Sequence, residues 1–248
     1  GGHGRVGKRT AINNFCISIA ANWPRCTSCH AGYGWTDDGF LERAGEQDVD
    51  CLVCHDRSGS YAKDPQGARL PTKDTDLLAA ARSVGRPTRA QCGACHFAGG
   101  GGDAVKHGDL DGTMVHPTPR IDVHMGRHGL ECVDCHRTSA HQVAGRILPA
   151  TEDAPTRVAC TDCHAARPHG QARLDAHVDA VACQTCHVPS MAVEAPTKMS
   201  WDWSQAGRDL DEGHLYSKAK GRFEYARQVP PTIAWYDGTT TRYAPGDR

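Results

Sequence analysis

The chain has 248 residues and a formal net charge of −1, with no run of lysine or arginine, which excludes an electrostatic nucleic-acid surface. No apolar stretch approaches the roughly 20 residues a membrane-spanning helix needs. Hydrophobic residues make up 39% and aromatics 6%, against 27 glycines and 14 prolines, so side chains alone would build only a thin core.

Twelve of the thirteen cysteines fall in six copies of Cys-x-x-Cys-His: Cys26, Cys29, His30; Cys51, Cys54, His55; Cys92, Cys95, His96; Cys132, Cys135, His136; Cys160, Cys163, His164; and Cys183, Cys186, His187. Numbered in chain order, these are motifs 1 to 6. Two cysteines three residues apart can bond the two vinyl-derived carbons of one haem, and the following histidine can turn its imidazole onto the iron. One copy alone could be a redox pair or half a zinc site. Six copies, each with its histidine, point to a multihaem c-type cytochrome. The irregular spacing excludes a solenoid.

The expected fold is mainly short α-helices and irregular loops around a stack of six covalent haems, with little or no β-sheet. The porphyrins replace a peptide core. In each motif the first cysteine and the histidine are four apart, hence on one face of a helical turn. Between motifs 2 and 3, residues 76–82 predict a short helix ended by Gly85 and Pro87. After motif 3 comes a four-glycine loop, 99–102, suited to close approach against a flat group such as a haem. Residues 1–190 read as the haem domain, and 191–248, with Trp201, Trp203 and Trp235 but no motif, as a C-terminal segment wrapping over it.

Ligand arithmetic follows. The motif histidines are the proximal ligands, and nine remain: His3, His107, His116, His124, His128, His141, His169, His177 and His214. Low-spin electron-transfer haems take a second axial histidine, so up to six of the nine can be consumed. A haem without one would be a place for substrate. Cys16, the unpaired cysteine, reads by itself as a small buried hydrophobe. Lys106 alone reads as a surface ion-pairing residue.

The strings NNFCISIAANWPRCTSCHAGYGW (13–35), VDCLVCHD (49–56), CGACHFAGGGGDAVKHGDLD (92–111), DVHMG (122–126), ACQTCHVP (182–189) and WDWSQAG (201–207) resemble the octahaem tetrathionate reductase family of c-type cytochromes. The resemblance runs in order from about residue 7 to the C-terminal end. It implies a periplasmic enzyme with a haem chain and one unusual haem bearing a distal lysine. By position that haem is the one on Cys26, Cys29 and His30, with Lys106 as the lysine and Cys16 beside the pocket. His107, His124, His141, His169 and His177 then serve the other five haems. Six motifs stand against the family's eight, as expected of a truncated chain or a shorter relative. A calcium ion near the active haem is a further implication, for which Asp103, Asp109 and Asp111 could supply oxygens, although aspartates in such a segment also form turns.

The function expected is reduction of tetrathionate, with nitrite or hydroxylamine as further substrates. The alternative is a non-catalytic electron carrier, as an extracellular filament subunit or part of a larger redox complex. Expected partners are redox proteins and a small inorganic anion, with homo-oligomers or filaments consistent with the class. Haem attachment outside the bacterial cytoplasm implies a periplasmic or extracellular location and a secretion signal upstream of Gly1, so the chain reads as processed or incomplete.

Overall fold

The computed structural model describes residues 27–37, 39–63, 67–97, 103–105, 109–145, 158–211 and 218–235. Cys16, Cys26, the 99–102 loop, Lys106, His107, His3 and His214 lie outside them. The chain forms two compact units, Gly1–Gly129 with Ala192–Gln228, and Leu130–Met191 with Val229–Arg248.

The first unit contains the helices α1 (Phe40–Arg43), α2 (Cys51–His55), α3 (Leu77–Arg82), α4 (Arg89–His96) and α5 (Val123–His128), and 3-10 turns at Thr27–Cys29, Glu46–Asp48 and Gly112–Val115. Local chemistry explains their starts. Asp50 caps α2 by accepting from Leu52 N at 3.0 Å, Asp76 caps α3 through Ala79 N at 2.8 Å, and Asp122 caps α5 through Met125 N at 2.7 Å. The helix expected over 76–82 is α3 with its cap, and its C-cap is Ser83. α5 ends at Gly129, left-handed at φ +68°. Within it, a Cβ on Gly126 would lie 2.4 Å from the Thr118 carbonyl carbon, so only glycine lets the helix pack on that loop.

This unit also holds a two-stranded antiparallel ribbon, β3 (Thr197–Asp202) with β4 (Arg222–Ala226). It pairs Thr197 with Ala226 and Trp201 with Phe223, with a register shift between Lys198 and Ser200. Lys198 N bonds Ala104 O at 2.9 Å and Val193 N bonds Asp109 Oδ1 at 2.8 Å. The ribbon strand and its lead-in therefore tie down the residues on either side of 106–108.

The second unit carries α6 (Cys132–Cys135), a hairpin of β1 (Thr138–Ser139) and β2 (Gln142–Val143), a 3-10 turn at Cys160–Asp162, α7 (Ala172–His177) and α8 (Cys183–His187). The third motif residue of α6, Asp134, folds back to accept from Glu131 N at 2.7 Å, and Asp162 does the same from Ala159 N at 2.9 Å. These motifs cap their own turns.

The architecture is as expected: short helices, loops and only small sheets. The peptide core is thin. Among the described residues the buried hydrophobic side chains are Phe40, Phe97, Met114 and four alanines, while Leu77, Leu78, Val84, Trp201 and Trp235 are exposed. Among the described residues this is little apolar burial to set against conformational entropy. The missing apolar surface is what porphyrin rings would supply.

Candidate haem sites

Each motif lies on a helical or 3-10 turn that sets its second cysteine and histidine side by side. None of the eleven described cysteines is in a disulfide. Burial pushes the Cys95 thiol up to about 11 and raises that of Cys54, the opposite of a nucleophilic or exchange-active thiolate. Among the described residues no three His, Cys, Asp or Glu side chains converge as a closed metal cage.

The histidines carry the next layer. His55 Nδ1 lies 2.9 Å from Gly85 O, and Gly85 N bonds back to His55 O at 3.0 Å. His136 Nδ1 lies 2.7 Å from Ala144 O. A carbonyl only accepts, so Nδ1 carries the proton in both rings and Nε2 is left to ligate iron.

In the second unit the rings of His169 and His187 face each other with centroids 6.0 Å apart and planes within 11°. Direct face contact would bring them to about 3.5–4 Å. His169 is further held by Asp175, 8% exposed, which accepts from His169 N at 3.0 Å and lies 3.2 Å from His169 Nδ1. His169 is thus a neighbour of His187, the motif 6 histidine. Asp175 carries no motif signal and was not legible in the sequence.

His124 lies within α5 and His177 ends α7. His141 sits at the tip of the β1–β2 hairpin with φ +63°, next to Ala140 at φ +47°. Left-handed backbone at two non-glycine residues is strained, and strain of this kind concentrates where a side chain must be presented.

Motif 1 differs from the others. The His30 and Trp35 rings meet in a T-shaped contact, with centroids 5.5 Å apart at 73°, and Trp35 stacks on Phe40 at 5.1 Å and 16°. These three side chains, with Ala31, Gly32, Ala44, Gly45, Asp48 and Val49, line a cavity of about 210 Å³. Cys29 Sγ lies 3.8 Å from Cys95 O and Cys95 Sγ 3.7 Å from Ser28 O, so motifs 1 and 3 abut through their second cysteines.

A buried knot joins motif 1 to motif 2. The Lys63 ammonium donates to Gly32 O at 2.8 Å and Gly67 O at 2.7 Å, pairs with Asp50, and lies over the rings of Tyr33 and Tyr61. Tyr61 Oη donates to Asp50 Oδ2 at 2.6 Å. Burial pulls Lys63 below the ordinary lysine value, and Asp50 opposes that shift. Neither Lys63 nor Tyr61 has a sequence signature.

The three aspartates considered for calcium are engaged with the backbone. Asp103 accepts from Gly112 N at 2.9 Å, Asp109 from Val193 N at 2.8 Å, and the fully buried Asp111 from Thr113 N at 2.8 Å. They act as turn and anchor residues.

Six Cys-x-x-Cys-His motifs on short helices and loops mark a multihaem c-type cytochrome that carries covalently bound haem and transfers electrons. The chain is similar to octaheme cytochrome c from Shewanella oneidensis, at 44% identity and a TM-score of 0.74, over 97% of this chain and 55% of that one. It therefore spans about half the length of that relative. The family model for cytochrome c554 and c-prime matches residues 8–56 and 113–165, and that for bacterial cytochrome c matches 198–248. No curated protein matches. Among the described residues no helix is long and apolar enough to cross a membrane.

Proposed function

We propose that the chain binds six haems and acts as a reductase at the motif 1 haem, held by Cys26, Cys29 and His30, with the other five as an electron relay. The observation that supports this most is the contrast between motifs. His187 of motif 6 has a second histidine, His169, beside it with ring centroids 6.0 Å apart, which supports reading that haem as a bis-histidine relay. His30 instead borders a cavity large enough for a small anion.

Lys106, beside residues anchored by β3 and its lead-in, is the proposed distal ligand of that haem, and His107, His124, His141 and His177 complete the remaining relay haems. Tetrathionate, a dianion with a weak central S–S bond, is the proposed substrate. The Cys16 thiolate attacks one central sulfur, forming an S-thiosulfonate adduct and releasing one thiosulfate. Two electrons then break the new S–S bond, returning the thiolate and releasing the second thiosulfate. Bound haem supplies those electrons one at a time. The same pocket suits nitrite and hydroxylamine, which ligate iron directly. The location is the periplasm or cell exterior, with a redox protein as electron donor.

Cys16→Ser is expected to lower tetrathionate reduction at least a hundredfold while leaving the haem spectrum unchanged; undiminished turnover would remove the thiolate from the mechanism. Titrating the reduced holoprotein with tetrathionate, nitrite and hydroxylamine tests the reading as a whole. Absence of both reoxidation and spectral change would leave a non-catalytic carrier, the reading the His169–His187 pair favours.

A further inference from the structure

Resting on the assignment of motif 1 as the reactive haem, we propose that Trp35 is its positioning residue. It holds His30 by a T-shaped ring contact, where His55 and His136 are held by hydrogen bonds to carbonyls. Three observations carry this. The Trp35 and His30 rings meet in a T-shaped contact, with centroids 5.5 Å apart and planes at 73°. The Trp35 ring is stacked on the buried Phe40 at 5.1 Å, and the Trp35 backbone N–H donates to Ala68 O at 2.9 Å. His55 and His136, by contrast, donate from Nδ1 to Gly85 O and Ala144 O, and no such bond joins His30 to another described residue.

The difference is chemical as well as geometric. An Nδ1–H donating to a carbonyl makes the imidazole a more basic ligand and stabilises ferric iron. A ring held by an aromatic contact keeps its orientation without that gain in basicity. Phe40 backs the Trp35 ring and so keeps it against His30.

The test compares Trp35→Phe, which keeps an aromatic ring, with Trp35→Leu, which does not, in holoprotein of wild-type haem content. In Trp35→Leu the EPR signal of one haem broadens, its midpoint in a potentiometric titration moves, and turnover falls about tenfold. In Trp35→Phe all three stay within twofold of wild type or unshifted. The remaining haems are unchanged in both. A Trp35→Leu protein with the wild-type signal and midpoint overturns the proposal, as does Trp35→Phe behaving like Trp35→Leu. If Trp35→Leu loses haem, Phe40→Leu removes the backing ring and is expected to shift the same signal in the same direction; no shift overturns it. A changed signal and midpoint with undiminished turnover upholds the role of Trp35 and refutes motif 1 as the reaction centre.

Discussion

His169 owes its orientation to a residue six positions on. Asp175, buried and bonded both to His169 N–H and toward its Nδ1, orients a ring that lies beside His187. Asp175→Asn keeps the shape and removes the charge. The motif 6 haem should then titrate at a higher potential, because ferric iron loses electron donation, and the distal bond should weaken by about 10- to 100-fold in ligand affinity. Exogenous imidazole or cyanide binding, followed optically, reads the second effect; unchanged binding and midpoint would show that Asp175 does not act through His169. The same scale separates motif 1, where Trp35 takes the place of a carbonyl, from motifs 2 and 4.

At the scale of the element, the β1–β2 hairpin is informative because its two-residue turn, Ala140 and His141, adopts positive φ at both positions, a conformation that normally selects Asn-Gly. Ala140→Gly should relieve strain and stabilise the holoprotein by about 1 kcal/mol, seen as a rise in Tm. His141→Gly relieves comparable strain, yet it should lower Tm and convert one low-spin haem to a high-spin spectrum if His141 is an axial ligand. Equal rises in Tm with an intact spectrum for both would make the turn merely structural. Helix length follows a similar logic. The motif helices run for one or two turns because capping by Asp50, Asp134 and Asp162 is local, and further growth would carry the motif histidine away from its haem.

At the scale of the whole molecule, folding and haem attachment are one process. Phe40, Phe97 and Met114 are the large hydrophobic side chains buried among the described residues, little apolar burial to set against conformational entropy. Replacing all twelve motif cysteines by alanine should give a chain whose far-UV circular dichroism is that of an unfolded polypeptide, with no cooperative melt. A native-like spectrum would show that the peptide core is sufficient. The buried Lys63–Asp50 pair is consistent with this, since it ties the turn after motif 1 to the helix of motif 2 where little apolar packing is present.

The sequence by itself determined the cofactor, its attachment points and the fold class, because Cys-x-x-Cys-His encodes its chemistry in five consecutive residues and a low apolar content leaves the haem as the core. The short helix before motif 3 was legible from its alanines and its Asp cap. Only the tertiary structure decided which groups face one another: His169 with His187, Asp175 behind His169, Trp35 against His30, motif 1 against motif 3, and Lys63 between two motifs. Those pairings join residues as much as 67 positions apart. They are set by how loops close around the haem sites, and no local spacing rule carries that information.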